Sequence, residues 1–209
     1  MDGLDALRYV LENEIPGCLV ECGIGSGQFP VMWAEELVRR GVNDRVLYLI
    51  DTFRGMTEPG PNDRTTEDAC LFKMTSTEVQ EYFDERQQDG YNTWCYVGLP
   101  QIHQRMVSTR YDLSKIHYIV GDVRKTLQDE QNRPPAPIAI LRLDTDFYDS
   151  SKIELETLYD RVVGGGIIIF DDYHHWDGQR RATDEFFKER GLTPKIVNLG
   201  NKQAAAMIK

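Results

Sequence analysis

Three aspartates follow two apolar runs of this 209-residue chain and could together hold a cation. Asp144 follows the run in "PIAILRLDTD", and Asp171 and Asp172 end "GGGIIIFDD". Carboxylates that converge without compensation repel one another, and a hard divalent cation with its preference for oxygen ligands removes that repulsion. The alternatives are that some of these acids face solvent or pair with a basic side chain, for which Arg142 is the internal candidate.

A glycine-rich turn provides a second candidate site. In "VECGIGSG", Glu21 stands two residues before Gly23, and Gly25 and Gly27 follow in alternation. Glycine is needed where the backbone adopts positive φ or approaches a ligand closely. The dinucleotide fingerprint requires a third glycine where this chain has Gln28. The pattern therefore suits S-adenosylmethionine (SAM) better than NAD, because an acid complements the positive charge of SAM. The alternative is an ordinary tight turn between a strand and a helix.

Two further acids end predicted strands. Asp51 ends "RVLYLID" and could accept both hydroxyls of a ribose, a device that NAD and SAM sites share. Asp122 ends "IHYIVGD" and could meet an adenine amino group. Each acid could instead cap a helix. We expect Asp146 and Asp149 to have structural or capping roles.

The elements that position these residues alternate along the chain. Short apolar strands separated by helical segments predict an α/β fold, with a mostly parallel sheet covered by helices on both faces. The segment "QFPVMWAEELVRRG" places Val31, Ala34, Leu37 and Val38 on one helical face and ends at Gly41. The tail "PKIVNLGNKQAAAMIK" predicts an antiparallel C-terminal hairpin. Ligands bind at the carboxyl ends of such strands, where the acids lie.

Residues 56–115 separate the second and third strands by more than a simple crossover requires. The segment "TSTEVQEYFDERQQDG" predicts a helix that opens with a capping box, Thr75 with Glu78, and closes on Gly90. A second helix is predicted to start near Pro100. An insert of this length is typical of a lid or an acceptor-binding region, and the alternative is a tolerated surface insertion.

Composition limits the partners. The formal net charge of −10 argues against a nucleic-acid or anionic-membrane surface, since both need clustered basic residues. No apolar run approaches the roughly 18 residues that span a bilayer, and no signal segment is evident. The four cysteines, Cys18, Cys22, Cys70 and Cys95, lack zinc-site spacing and are expected to be reduced thiols. We expect a single cytoplasmic domain over residues 1–209.

The motifs together resemble the macrocin O-methyltransferase family, metal-dependent enzymes that modify sugar hydroxyls of antibiotics and related natural products. The matching pieces occur in order over residues from about 15 to 190: "VECGIGSG", "IDTFRGM", "GDVRKTL", "LRLDTDFYDS" and "GGGIIIFDDY". The resemblance implies a class I methyltransferase fold of the Rossmann-like type, SAM as methyl donor, and Mg²⁺ held by Asp144, Asp171 and Asp172. It implies a SAM site lined by Glu21, Gly23, Asp51 and Asp122, and we expect Gly25, Ser26, Thr52 and Val123 to belong to the same site.

The chemistry that follows is in-line transfer of a methyl group from sulfonium to a hydroxyl oxygen. Mg²⁺ lowers the pKa of a coordinated hydroxyl, and two neighbouring hydroxyls can chelate it, which favours a sugar, another vicinal diol or a catechol as acceptor. Asp144 is the first candidate for the catalytic base and His174 the second, with His103 in the insert as a further histidine. The aromatic residues that could wall the acceptor pocket, or merely pack, are Trp94, Tyr96, Tyr148, Tyr173 and Trp176.

Other classes of protein remain open from the sequence. An NAD-dependent oxidoreductase would use the same glycines and Asp51, but it gives no reason for the three aspartates. A metal-dependent hydrolase explains the aspartates and leaves the glycine turn without a role. A non-catalytic SAM-binding module would bind the cofactor without turnover. A homodimer is the default expectation for the assembly.

Overall fold

Seven of the nine strands in the described chain form one sheet; the computed structural model describes residues 3–200 and 202–209. The strands are β1 (Cys18–Cys22), β2 (Leu47–Asp51), β3 (Gln87–Gln88), β4 (Tyr91–Asn92), β5 (Ile116–Val120), β6 (Ile138–Leu143), β7 (Val162–Phe170), β8 (Val197–Asn198) and β9 (Ala205–Ile208). The sheet order is β5-β2-β1-β6-β7-β9-β8. The first five strands in this order are parallel, and β9 runs antiparallel to β7 and β8. The mostly parallel sheet and its C-terminal hairpin are thus confirmed, while Asn201 in the predicted turn lies outside the described residues.

Helices cover both faces of the sheet, as predicted. They are α1 (Gly3–Glu12), α2 (Gln28–Arg40), α3 (Ser76–Asp84), α4 (Leu99–Ser108), α5 (Val123–Thr126), α6 (Tyr148–Leu158) and α7 (Asp177–Glu189). Side chains of α1, α2 and α4 pack on one face, and those of α5, α6 and α7 pack on the other. Because successive strand residues point to opposite faces, Leu19 belongs to the first core and Val20 to the second. Burial on both faces explains why the strands are continuously apolar.

Helix α2, which follows the glycine turn, matches the prediction except at one position. It ends at Gly41, whose positive φ of 68° lets its N–H bond the carbonyls of Leu37 and Val38. Ala34, Leu37 and Trp33 are buried, whereas Val38 is 42% exposed. The prediction for Val38 was wrong because the covered stripe of the helix centres on Trp33.

The insert divides into two parts. Helix α3 opens with the predicted capping box, in which Thr75 N–H donates to Glu78 at 2.8 Å and Glu78 N–H donates to the Thr75 hydroxyl at 3.3 Å. It ends at Asp84 rather than Gly90, because Gly90 lies in the turn of the short β3–β4 hairpin. Helix α4 packs the side chain of Ile102 into the core that α1 and α2 also cover.

All four cysteines are free thiols, as the sequence predicted: Cys18 and Cys22 are buried, and Cys70 and Cys95 are exposed. None of the helices in the described ranges is long and apolar enough to cross a lipid bilayer.

Candidate active site

A cavity of about 260 Å³ lies at the carboxyl edge of the parallel sheet. Five strands contribute to its wall: Gly23 and Gly25 after β1, Asp51 and Thr52 at the end of β2, Asp122 and Val123 after β5, Asp144, Thr145 and Asp146 after β6, and Asp171 and Asp172 after β7. The insert contributes Met56, Thr57, Leu71, Phe72, Trp94 and Cys95. The two candidate sites found in the sequence are therefore parts of one cavity.

The glycines of the turn have different structural roles. A Cβ atom on Gly23 would lie 1.8 Å from the carbonyl oxygen of Asp144, so this glycine permits the close approach of β1 to the end of β6. A Cβ atom on Gly25 would meet no atom within 4 Å, and Gly25 lines the cavity. Ser26 is exposed outside the cavity, and its carbonyl accepts a hydrogen bond from Arg105 of α4. Gly25 thus leaves space beside the turn for a ligand.

Asp51 fixes the glycine turn from the neighbouring strand. Its carboxylate accepts hydrogen bonds from the N–H groups of Ile24 at 2.6 Å and Phe53 at 2.5 Å. Burial raises the pKa of Asp51, and the backbone donors oppose that effect. Thr52 beside it donates its hydroxyl to the carbonyl of Gly55 at 2.7 Å. Asp51 therefore holds the turn in place and also lies in the cavity wall.

Asp122 performs the capping role that the sequence left open. It is the N-cap of α5, where it accepts the Arg124 N–H at 2.9 Å, and it pairs with the Arg124 guanidinium at 2.8 Å. It also lines the cavity together with Val123. The adenine contact predicted for Asp122 thus remains compatible with its position, although the capping bond explains the residue without a ligand.

A buried arginine links the glycine strand to the aspartates. Arg142 on β6 lies opposite Glu21 of β1 in the sheet register. Its guanidinium contacts Glu21 at 2.5 Å, Asp144 at 2.7 Å and Asp171 at 2.7 Å, and it lies 3.6 Å from the centre of the Phe29 ring. Glu21 is completely buried and does not line the cavity. Burial outweighs the effect of Arg142 and raises the pKa of Glu21 to about 8. The acid of the glycine motif therefore lies behind the cavity wall.

The three predicted metal ligands converge. One carboxylate oxygen from each of Asp144, Asp171 and Asp172 lies within 4.8 Å of the other two. Asp172 accepts a hydrogen bond from Gln203 through Oδ1, whereas its buried Oδ2 has no hydrogen-bond partner among the described residues. Asp146 lies beside Asp172, and burial raises the pKa of Asp146 to about 7. Asp146, for which the sequence predicted a structural or capping role, is therefore part of the cavity wall.

The donor set fits a hard divalent cation. The Arg142 guanidinium contacts three carboxyl groups, those of Glu21, Asp144 and Asp171. Asp146 and Asp172 lie beside each other in the same region of the site. Burial and mutual repulsion raise the pKa values of Asp144 and Asp172 well above the ordinary range. Arg142 compensates part of the negative charge of these carboxyl groups, and pairing with Arg142 was one of the alternatives predicted from the sequence. The remaining oxygen-only cluster, with the unpartnered Oδ2 of Asp172, fits Mg²⁺ or a similar ion.

The histidine that lines the cavity is not the one singled out in the sequence. His174 lies outside the wall, with Nε2 2.7 Å from the side-chain oxygen of Asn198. The next residue, His175, lines the cavity. His103 is exposed on α4, with Nδ1 3.3 Å from the Tyr118 hydroxyl. The adjacent pair in "FDDYHHW" is the only sequence signal for His175, and it does not show which ring faces inward.

Two of the five predicted aromatic residues line the cavity, namely Trp94 and Trp176. The other three pack or bond elsewhere: Tyr96 packs on Tyr91, the Tyr148 hydroxyl donates to Glu185 and the Tyr173 hydroxyl donates to Asp184. The insert adds Phe72, which the sequence analysis did not consider. Trp94, Trp176 and Phe72 therefore form the aromatic part of the cavity wall, which differs in part from the predicted set.

The sheet and the site together define a class of protein. Numbered within the sheet along the chain, the strand order is 3-2-1-4-5-7-6, with the seventh strand antiparallel to its neighbours. This order, with a glycine turn after the first strand, is the class I methyltransferase fold. The chain belongs to the macrocin-O-methyltransferase (TylF) family, whose model matches residues 1–205.

Individual relatives are more distant. The chain is 27% identical to demethyldecarbamoylnovobiocin O-methyltransferase of Streptomyces niveus over 91% of this chain and 65% of the relative. It is 28% identical to 8-demethyl-8-(2,3-dimethoxy-alpha-L-rhamnosyl)-tetracenomycin-C 4'-O-methyltransferase of Streptomyces olivaceus over 94% of this chain and 69% of the relative. The chain thus spans about two thirds of the length of these proteins. The solved structure of the O-methyltransferase NovP superposes with a TM-score of 0.80 at 21% identity, covering 99% of this chain and 77% of NovP.

Proposed function

We propose that the protein is a SAM-dependent, Mg²⁺-dependent O-methyltransferase that acts on a hydroxyl of a sugar or another vicinal diol on a small molecule. The carrying observation is that one cavity joins the glycine turn and Asp51 to an oxygen-only cluster of three aspartates. An NAD-dependent oxidoreductase gives no role to that cluster, and a metal-dependent hydrolase gives none to the turn. Family membership supports the methyltransferase reading.

The cofactor half of the cavity is the part formed by β1, β2 and β5. Gly25 leaves open space beside the turn, so the turn can lie against SAM without a steric clash. Asp51 and Thr52 would meet the ribose, and Asp122 and Val123 the adenine, and the proposal is supported by the fact that all four line the cavity. Glu21 lies behind the wall and bonds to Arg142, so it would hold the guanidinium that orients Asp144 and Asp171 and would not touch SAM itself.

The acceptor half of the cavity is the part formed by β6, β7 and the insert. Asp144, Asp171 and Asp172 would hold Mg²⁺ through carboxylate oxygens. When bound there, the ion lowers the pKa of an acceptor hydroxyl and fixes its oxygen. Arg142 orients two of these aspartates by its bonds to Asp144 and Asp171. Correct orientation of the oxygen toward the methyl group provides much of the rate enhancement in such a transfer.

The proton of the acceptor hydroxyl needs a base in the same wall. Asp144 is the proposed base because it lines the cavity next to the ion site. His174, the second candidate from the sequence, is directed toward Asn198 outside the cavity and is the weaker choice. Trp94 and Trp176, which line the same cavity, would keep water away from the reacting groups.

The test separates cofactor binding from metal binding and turnover. Calorimetric titration with SAM in Mg²⁺ and in EDTA should give micromolar binding in both buffers. Asp144→Ala should keep SAM binding, weaken Mg²⁺ binding and abolish Mg²⁺-dependent release of S-adenosylhomocysteine. Asp149→Ala is the matched control, since Asp149 is an exposed aspartate of the same segment that does not line the cavity. Full activity of Asp144→Ala would exclude the metal assignment, and SAM binding without turnover of any diol would favour the non-catalytic module.

A further inference from the structure

Gln179 is a buried amide that joins the ends of two neighbouring strands. It lies in the first turn of α7 and is completely buried. Its Oε1 accepts the N–H of Asp172 at 2.8 Å, and its Nε2 donates to the carbonyl of Leu143 at 3.1 Å. Leu143 ends β6 and directly precedes Asp144. One side chain therefore bonds to the backbone at or beside two of the three clustered aspartates.

The hydrogen bonds of the sheet hold two of the three aspartates but do not reach Asp172. The Asp144 N–H donates to a carbonyl of β1 at 2.8 Å, and the Asp171 N–H donates to a carbonyl of β6 at 3.0 Å. Asp172 lies beyond the end of β7, where the strand pairing has stopped. A buried backbone N–H needs an acceptor, and the Gln179 amide oxygen provides it. Gln179 therefore continues the work of the sheet at the one aspartate that the sheet does not hold.

The other polar groups of Asp172 are also bonded, with one exception. Its carbonyl accepts the N–H groups of His175 and Trp176, both at 2.8 Å. Its Oδ1 accepts a hydrogen bond from the Gln203 amide. Only the buried Oδ2 has no partner among the described residues. The backbone and one carboxylate oxygen of Asp172 are thus fixed, and Oδ2 is the oxygen left to bind a cation.

The helix turn that carries Gln179 is itself held firmly in place. A Cβ atom on the preceding Gly178 would lie 2.2 Å from Oδ1 of Asp63 and 2.7 Å from the backbone nitrogen of Tyr148, so α7 starts directly against the start of α6. The carbonyl of Gln179 also accepts the Thr183 hydroxyl at 2.8 Å. Side chains on packed helices hold a site more precisely than side chains on loops do. The amide can therefore fix the two strand ends at a constant spacing.

An amide has the chemistry that this position requires. It donates and accepts a hydrogen bond at the same time, and it adds no charge beside the acids. The three clustered carboxylates repel one another, so they tend to move apart when no cation compensates them. The two bonds of Gln179 oppose that movement because they join the ends of β6 and β7 directly.

We propose that Gln179 is a positioning residue, which holds Asp144 and Asp172 at the spacing of a divalent cation site before the ion binds. Gln179 does not line the cavity, so it acts on the ion only through the two aspartates. This inference rests on the proposed function, because it takes Asp144, Asp171 and Asp172 as the ligands of the ion.

The test measures cation binding without turnover, with Mn²⁺ as the probe. The electron paramagnetic resonance signal of free Mn²⁺ is lost on binding, and the wild-type protein should bind one ion that Mg²⁺ displaces. Gln179→Met keeps a similar shape but has no hydrogen-bond donor and only a weak acceptor. It should weaken Mn²⁺ binding by about 10–100-fold, as the loss of a group that orients metal ligands typically does. SAM binding, measured by calorimetry in EDTA, should be unchanged.

Thr183→Val is the matched control. It removes the hydrogen bond of another completely buried side chain of the same helix, one turn further along, without touching the aspartates. Both variants should lower the melting temperature by a few degrees, because each loses buried hydrogen bonding. Thr183→Val should nevertheless bind Mn²⁺ as tightly as wild type, which separates positioning from general stability.

Hydrogen exchange tests the same bond without any variant. In the metal-free wild-type protein, the Asp172 N–H should be protected from exchange to about the same extent as the N–H of Ile169 within β7. Exchange as fast as that of an exposed loop would show that the bond to Gln179 does not persist before the ion binds, and would overturn the inference. This measurement decides the matter even if Gln179→Met fails to fold.

The remaining outcomes separate this inference from the function on which it rests. If Gln179→Met binds Mn²⁺ as tightly as wild type, Gln179 is only structural, while the proposed function stands. If Gln179→Met and Thr183→Val weaken Mn²⁺ binding equally, the loss follows from a loosened α7 and the positioning role is wrong. If the wild-type protein binds SAM but neither Mn²⁺ nor Mg²⁺, the metal assignment and the role of Gln179 are both wrong.

Discussion

Arg142→Met tests whether a single guanidinium holds the carboxylate cluster together. Arg142 is buried and bonds to Glu21, Asp144 and Asp171 at distances of 2.5 to 2.7 Å. Methionine fills a similar volume without charge, so the three acids lose their shared partner. Removal of one member of a buried ionic cluster costs about 3–5 kcal/mol, because the remaining charges stay buried and uncompensated.

The expected loss of stability is large enough to measure as a shift of the melting temperature. For a chain of this length, each 1 kcal/mol lowers the melting temperature by about 2–4 °C, so Arg142→Met should lower it by about 6–20 °C in EDTA. Saturating Mg²⁺ should reduce the deficit, because the ion compensates Asp144 and Asp171 in place of the guanidinium. Circular dichroism during thermal unfolding, recorded in both buffers, measures both effects.

The control for Arg142→Met is the loss of a surface arginine, and two results would refute the prediction. Arg181→Met removes an exposed arginine that pairs with Glu185 on the surface, and it should unfold close to wild type. An Arg142→Met protein with the wild-type melting temperature in EDTA would refute the structural role of Arg142. A deficit that is the same in Mg²⁺ and in EDTA would show that the ion does not compensate Asp144 and Asp171.

Two further predictions concern stability outside the aspartate cluster. Gly23→Ala should lower the free energy of unfolding in urea by about 2–6 kcal/mol, because its Cβ would lie 1.8 Å from the Asp144 carbonyl oxygen at a φ of +81°. Gly25→Ala should lower it by only about 1–2 kcal/mol, because no atom lies within 4 Å of the added Cβ. Equal losses for the two variants would contradict the packing role of Gly23. Hydrogen bonding to Arg39 and then Arg40 lowers the pKa of Glu36 from 4.5 to about 2. After allowance for solvent screening of these arginines, Glu36→Gln should lower the free energy of unfolding at pH 7 by about 1–2 kcal/mol relative to wild type. This difference should vanish as the pH falls from about 5 to about 2, because the wild-type carboxylate then becomes protonated; a difference that persists at pH 2 would contradict the pairing.

Several features of the protein could be predicted because they depend on neighbouring residues in the chain. The capping box of Thr75 and Glu78 is a local pattern, and the structure shows both of its hydrogen bonds. The convergence of Asp144, Asp171 and Asp172 could be predicted because each follows a parallel strand and those strand ends meet at one edge. The apolar strands and their alternation with helices likewise indicated the parallel sheet.

The pairing of charges behind the cavity could not be predicted from spacing. Glu21 and Arg142 are 121 residues apart, and they meet because β1 and β6 are neighbours in a register that places one opposite the other. A shift of that register by one residue would direct Arg142 to the opposite face of the sheet. The sequence offered Arg142 as a candidate partner, and the sheet decided which acids it bonds.

Local patterns in the chain are sufficient to predict the ends of the strands, the glycine turn and the set of acids available at the cavity. The folded chain shows that His175 rather than His174 lines the cavity and that Phe72 from the insert lies against it. Adjacent residues in a turn can point in different directions, and the direction depends on hydrogen bonds such as that from Thr66 to the His175 carbonyl. Those bonds join segments more than 100 residues apart, and no local pattern encodes them.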